Sequence, residues 1–468
     1  EFFTPYVNDM LENVRYLKEE HNDGRLFKIF EDTILALVVK NYMSYDYVVG
    51  NPPYVSSQNI PDSQKQMLDE QYPDSATNQY DIYCPFIERG LDWLNDGGRL
   101  GYITPNQFMV ANYGRGVRRL IDERAVVEQI QDFRDSGVFK DATNYPVISI
   151  LQVENDENTR EDNKIRCGRV KSNIDEDSGR ELDQQVVATI RSEYDNPGYS
   201  DEYVDVYDFP QSRLTETRWP IMPEREWEIF EKIKAKSDHV VGDVTEAVFQ
   251  GIMTGRKGVF IVEVLDAEMV KANHSGGSVR VRSLEDGTEH EIETDVLRPF
   301  IDGDEVERWQ VTWDGLHIIR PYHIVESGEG ESVEPIPEET IASDLPLTME
   351  YLNNYKDILA NRSSLRSSQS WYEYSRPQNM AKFERPKLLL SKIADRATYM
   401  SDSEGTWYFT TPYSVLLDTE RASLSKEMTA QLNSNVLDFY FKHIAAVKAG
   451  GLDRKSTRLN SSHVCSSR

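Results

Sequence analysis

Cysteine is almost missing from this chain. Three residues in 468, Cys84, Cys167 and Cys465, stand too far apart for a disulfide scaffold or a cysteine-built zinc centre, and no metal site is expected. No stretch approaches 18 consecutive apolar residues, which excludes a membrane-crossing helix of ordinary length. Positive charge is also in deficit: 52 Lys and Arg face 80 Asp and Glu, for a net charge of −28. Lys is the scarcer cation, 20 against 32 Arg. Such a chain repels duplex DNA at long range, because DNA is itself densely anionic. In molar salt, however, the Debye length contracts to ~3 Å and only local charge counts. The acidic excess, with Arg kept over Lys, is the pattern expected of a halophilic, cytoplasmic protein. Aromatics are plentiful by contrast, with 25 Tyr, 17 Phe and 7 Trp, too many for a disordered chain.

The length leaves room for two or three domains at ~100–200 residues each. Tyr45 to Val49 reads as a short buried-type strand, and a helix is expected from about Tyr80 to Leu94. Asn95-Asp96-Gly97-Gly98 is a turn signal, followed by a strand at Arg99–Thr104 and a helix from Gly114 to Glu123. Strands around Val126–Phe133 and Val147–Val153 complete an alternation that predicts a doubly wound α/β sheet, with ligand sites at the carboxyl ends of its strands. Residues 154–200 read as loops plus a helix near Gln184–Tyr194. The texture then changes to Trp, Tyr, Arg and short strand-like runs, which sets a domain boundary near 207. Residues 324–344, rich in Glu, Pro, Gly and Ser, read as a solvated loop. Residues 453–468 have no apolar period and resemble a translated sequencing adapter, so they are set apart as a non-native tail.

Asn51-Pro52-Pro53-Tyr54, placed directly after the first strand, is the most informative motif. A diproline turn is ordinary punctuation, but few turns need an Asn and an aromatic on either side of it. Methylation of a planar exocyclic amine does. The lone pair of such a nitrogen is delocalised into its ring. Two acceptors, the Asn51 side-chain oxygen and the Pro52 carbonyl, would favour the pyramidal amine and aim its lone pair at a sulfonium methyl. Pro52 and Pro53 would fix that carbonyl beforehand, and Tyr54 would stack on a base taken out of the duplex.

On these residues the chain resembles the S-adenosylmethionine-dependent adenine-specific DNA methyltransferases of the gamma order. The resemblance implies a Rossmann-like methyltransferase sheet over 1–207 and a mixed α+β target-recognition domain over 208–452. In the segment Asp81-Ile82-Tyr83-Cys84-Pro85-Phe86 it implies that Phe86 packs on the cofactor adenine. In Val138-Phe139-Lys140-Asp141-Ala142 it implies that Phe139 touches the flipped base. Asp32, 19 residues before Asn51, falls where the family places an acid near the cofactor's amino group; a plain helix cap at Thr33 is the alternative. The family's glycine-rich cofactor turn is not found, since only Gly24 and Gly50 precede Asn51. The expectation is therefore an N-terminally truncated sheet, its first strands missing, and a fragment that is itself inactive.

The second half carries the reader of DNA. Val248-Phe249-Gln250-Gly251-Ile252-Met253-Thr254-Gly255-Arg256 resembles the opening of the target-recognition region in TaqI-like and type IIG restriction–modification enzymes, and Leu297-Arg298-Pro299-Phe300, Trp371-Tyr372-Glu373 and Leu432-Asn433-Ser434 are similar to later parts. Residues 361–396 carry a net charge of +5 within an acidic chain. Arg362, Arg366, Arg376, Lys382, Arg385 and Lys387 are the expected contacts to double-stranded DNA. Methylation of RNA or protein glutamine, amino methylation of cytosine, and a specificity module without catalysis remain alternatives.

Overall fold

In a computed structural model the chain forms two compact units, residues 1–141 with 145–219, and residues 142–144 with 220–468. The structure describes residues 43–134, 145–171, 179–237, 239–265, 276–327, 330–391, 393–394, 396–418, 422–444, 446–448, 451–453 and 463–464, together with Glu12, Tyr16, Lys28, Asp32 and Thr33.

The described chain of the first unit runs β1 (Tyr45–Gly50), α1 (Asp62–Gln71), α2 (Tyr83–Asp92), β2 (Leu94–Pro105), α3 (Arg115–Arg124), β3 (Ala125–Asp132), β4 (Pro146–Val153), α4 (Glu157–Asp162), β5 (Lys164–Val170), α5 (Gly179–Glu193) and β6 (Val204–Pro210). The strands make one mixed sheet in the order β1-β2-β4-β3-β5-β6. β1 is parallel to β2 and β3 to β5, while β4 inserts antiparallel between β2 and β3. The carboxyl ends of β1, β2 and β3 therefore share one edge of the sheet. The expected α/β architecture is present, with β4 and β6 running against the parallel direction.

α2 closes on β2 because Gly90 has no side chain: a Cβ there would lie 2.6 Å from Leu100 Cδ1. Ile87 and Leu91 complete the buried face of α2, and Val117, Leu120 and Ile121 that of α3. Arg118 is buried with them. Its guanidinium donates to the carbonyls of Phe108, Ala111 (2.9 Å), Glu216 (2.8 Å) and Thr217 (2.8 Å), and burial pushes its pKa down to about 10.

Two expectations are corrected here. β1 was read as a buried-type strand, yet Tyr47 is 69% and Val49 82% exposed. An apolar run suggests burial on both faces, but among the described strands β1 ends the order, and its Tyr47 and Val49 side chains are exposed. β5, within the stretch read as loops plus a helix, is a full sheet member. Its arginines pair across to β6, Arg166 with Asp208 at 2.6 Å and Arg169 with Asp205 at 2.7 Å, and so hide a strand behind charged residues. The expected boundary near 207 lies within β6, whose pairing keeps it in the first unit.

The second unit contains a six-stranded and a four-stranded sheet. The four-stranded one orders Tyr399–Asp402, Lys387–Leu390, Tyr413–Leu417 and Thr245–Gln250. Alternation assigns its faces to two cores: Leu389 and Leu416 join one, Leu388, Leu390, Val415 and Leu417 the other. The segment 324–344 is not a loop. Tyr322–Ser327 and Gly330–Pro335 form a hairpin, Glu338–Asp344 is helical, and Ile336 and Ile341 are buried. Those two apolar anchors outweigh the polar composition around them.

Lys387 is fully buried, paired with Asp402 at 2.5 Å and donating to the Phe383 carbonyl. Burial lowers its pKa, and the Asp402 carboxylate pulls it back up. Lys387→Met leaves that carboxylate unmatched inside the protein and is expected to cost about 3–5 kcal/mol. Urea denaturation of the full chain checks this; a midpoint equal to wild type would show that the pair contributes nothing.

Candidate functional site

The Asn51–Tyr54 loop leaves the carboxyl end of β1, on the sheet edge where ligand sites form in this class of fold. Gly50 begins it: a Cβ there would come within 3.2 Å of the Tyr102 ring. Asn51 and Pro53 are exposed, Pro52 is buried, and Tyr54 is half-buried. The Tyr54 hydroxyl donates to the Ile103 carbonyl at 3.2 Å, which pins the loop to β2, and burial raises its pKa. Past Tyr54 the chain pairs with the segment ahead of α2. Ser57 N–H donates to Tyr80 O at 2.9 Å and Ile82 N–H to Val55 O at 2.8 Å, around a Ser56–Asp81 bridge. With two prolines inside and ties on both sides, the exposed Asn51 amide stands on a fixed backbone.

Asp81 belongs to a second layer beneath this loop. The Tyr113 hydroxyl donates to Asp81 Oδ2 at 3.0 Å and lies 3.0 Å from the Tyr83 hydroxyl. Gln107 Oε1, 3.4 Å away, is a further acceptor beside it. Burial raises the Asp81 pKa, and the bond from Tyr113 lowers it. At the same sheet edge Asn106 donates to Asp132 Oδ1 at 3.4 Å. The buried hydroxyls of Thr104 and Ser149 have no hydrogen-bond partner among the described residues.

The sequence-derived candidates fall in several places. Asn51, Pro52, Pro53 and Tyr54 form the loop just described. Phe86 is 42% exposed on α2 although Tyr83, Cys84, Pro85 and Ile87 around it are buried, so its ring is offered rather than packed. Asp32 is helical and exposed. Phe139 lies outside the described residues. Tyr113 and Asp81 were not singled out for a role. Asp81 stood inside a quoted segment, but Tyr113 meets it from 32 residues away, and no local pattern announces that meeting.

The six expected DNA contacts separate by environment. Lys387 is corrected: it is buried against Asp402 and cannot reach a phosphate. Arg362 is corrected likewise, because its guanidinium donates to the carbonyls of Leu359, Thr254, Trp371 and Glu373 and so braces the chain internally. Arg385 makes a two-pronged pair with Glu246 at 2.6 and 2.8 Å. Lys382 is partly exposed, with its ammonium 6.0 Å from the Phe249 ring centre. Arg366 and Arg376 are exposed.

Comparison with known proteins fits both halves. Residues 4–139 match the family described as Eco57I restriction-modification methylase, and residues 298–460 match the TaqI-like C-terminal specificity domain. The two matches are thus to a methylase region in the first half of the chain and to a specificity domain in the second, an Eco57I-type methylase and a TaqI-like specificity domain in particular. Type II methyltransferase M.BstVI of Geobacillus stearothermophilus is 24% identical over 81% of this chain and 59% of its own length. Type II restriction enzyme and methyltransferase RM.Eco57I of Escherichia coli is 24% identical over 78% of this chain and 34% of its own. The chain spans between a third and three fifths of the length of these two relatives. Among solved structures, the type IIL restriction-modification enzyme MmeI in complex with DNA aligns over 86% of this chain and 44% of its own, with a TM-score of 0.48 and 11% identity.

The Asp81–Tyr113 pair makes a pH-dependent prediction. A carboxyl whose pKa is higher in the folded than in the unfolded state favours folding while protonated and opposes it once ionised. Tyr113→Phe removes the bond that holds the Asp81 pKa down, so that pKa rises further. The variant should be less stable than wild type by about 1–2 kcal/mol at neutral pH, with the deficit shrinking as pH falls through the folded pKa of Asp81. Urea titrations at neutral and mildly acidic pH check the sign; an equal deficit at both would assign the loss to packing alone.

Proposed function

We propose that this chain is the methylating and sequence-reading part of a site-specific DNA adenine-N6 methyltransferase of a restriction–modification system. The observation that carries the reading is the exposed Asn51 amide on a diproline loop at the carboxyl end of β1, tied to β2 on one side and to Tyr80–Ile82 on the other. In this reading Asn51 Oδ1 and the Pro52 carbonyl accept the two hydrogens of the adenine amino group. They draw its lone pair out of the ring plane, and the fixed backbone spares the reorganisation that a flexible loop would need. Tyr54 and Phe139 are assigned to the flipped base. The matched methylase and specificity regions support a DNA substrate, with the first unit, through residue 219, methylating and the second reading sequence in a protein we take to be halophilic and cytoplasmic.

S-adenosylmethionine, when bound, supplies a methyl group made electrophilic by its sulfonium. The residues here fit one wall of such a cofactor: Phe86 offers an exposed ring, and Asp32 is the proposed acid. The second reading is a specificity module without catalysis, which the specificity-domain match over residues 298–460 favours.

Asn51→Ala should lower transfer of labelled methyl to unmethylated DNA more than about 100-fold, since a charge-stabilising acceptor at the reacting atom is lost. DNA mobility shifts should stay within about threefold, because the loop is not what holds the duplex. The assay is run at saturating cofactor, and digestion of the product must yield N6-methyladenine. An Asn51→Ala chain as active as wild type would overturn the amine-gripping role, a methylated cytosine would overturn the adenine assignment, and a wild-type chain that binds DNA without methylating it would support the second reading.

A further inference from the structure

The loop at Gly251–Arg256 and the segment Trp371–Arg376 meet at a short antiparallel bridge, Met253 opposite Arg376, called the ribbon below. Arg376 N–H donates to Met253 O at 3.0 Å, Met253 N–H to Arg376 O at 3.3 Å, and Ser375 N–H to Thr254 O at 3.4 Å. The frame behind the ribbon is rigid. Arg362 reaches the Thr254 carbonyl at 2.6 Å and those of Trp371 and Glu373 at 2.9 and 2.7 Å, and so crosslinks both strands from below. Gly255 has φ +78°, and a Cβ on it would fall 1.9 Å from Ser375 Oγ, so the strands meet as closely as they can. Ile252 N–H donates to Phe409 O at 3.0 Å and anchors the ribbon to the sheet.

This frame presents one pair outward. Met253 is 47% exposed, Arg376 is exposed, and Arg376 Nη1 lies 3.8 Å from Met253 Sδ. Among the described residues the Arg376 guanidinium meets no carboxylate. Elsewhere in this unit Arg256 pairs with Glu285, Arg298 with Glu384 and Arg385 with Glu246. Among the described residues Arg376 therefore stands clear of carboxylates, beside an exposed thioether, on a backbone held by these bonds. A planar fork of donors next to a soft apolar side chain complements the edges of adjacent base pairs. The fork fits guanine O6 and N7, and the thioether fits the methyl of a neighbouring thymine.

We propose that Met253 and Arg376 are specificity-determining residues that read adjacent base pairs in the major groove of duplex DNA, Arg376 on guanine and Met253 on a thymine methyl. The proposal rests on the DNA reading given above and adds which side chains carry sequence information. A phosphate contact by Arg376 is the competing role, and it predicts a different result. A phosphate contact weakens all sequences alike and contributes to the salt dependence, whereas a base contact alters preference at one position.

The test is selection of the full chain against a random duplex pool, followed by sequencing, for wild type, Met253→Ala, Arg376→Lys and Arg366→Ala. Arg376→Lys keeps the charge and loses the fork. Arg376→Lys should lower the preference for guanine at one position by about 5- to 150-fold. Met253→Ala should relax the adjacent position, while affinity for unselected DNA and its salt slope stay at wild-type values for both. Arg366→Ala serves as the contrast and should weaken all sequences evenly. Unchanged sequence preferences in both ribbon variants, or evenly weaker binding by Arg376→Lys, would overturn the proposal while leaving the DNA reading intact. A wild-type chain that enriches no sequence would overturn both. Thermal midpoints equal to wild type confirm that the exposed substitutions leave the fold unchanged.

Discussion

Parallel pairing of β1 with β2 is the constraint from which the candidate active site follows. Val49 lies opposite Gly101 and Gly50 opposite Tyr102, so β1 ends three residues short of Pro105, the last residue of β2. A slip of one residue would turn every side chain to the other face and carry Asn51 away from β2. The pairing does not stop with the strand. Tyr54 extends it by bonding to Ile103 O, and Val55–Ser57 then hands the chain to Tyr80–Ile82. In the proposed role the Asn51 amide needs such support, and here it comes from the Tyr54 hydroxyl together with backbone hydrogen bonds.

The scarce cations are distributed by two different demands. Some act as internal struts. Arg118 collects four carbonyls in the first unit, Arg362 collects four in the second, and Lys387 holds Asp402 inside the sheet. A guanidinium can serve several carbonyls at once because its five donors are fixed in a plane, which suits a chain that favours Arg over Lys. Others pair with carboxylates at the surface, as Arg256 does with Glu285 and Arg385 with Glu246.

Much of this arrangement can be read from the sequence where chemistry is local. Asn51-Pro52-Pro53-Tyr54 after an apolar strand is contiguous, and so is the Asp81–Phe86 segment whose one exposed member is Phe86. Four strands of the first sheet were legible from alternating helix and strand signals; β5 and β6 were not, because the arginines of one and the aspartates of the other look like solvent-facing charge. What could not be read were partnerships across distance. Tyr113 finds Asp81, Lys387 finds Asp402 on the neighbouring strand, and Arg362 finds carbonyls up to 108 residues away. A positive segment therefore promised six surface contacts, and the fold withdrew Lys387 and Arg362 to brace itself. The stretch 324–344 misled in the opposite sense, since Ile336 and Ile341 outweighed its polar composition.

The open face of β1 has a practical side. Tyr47 and Val49 project from a strand that ends the described sheet, and terminal strands with bare apolar side chains are templates for another chain to add onto. Polar replacements at those two positions would take apolar surface away from solvent without emptying the core, and so would make the polypeptide easier to handle without touching the residues of the proposed reaction.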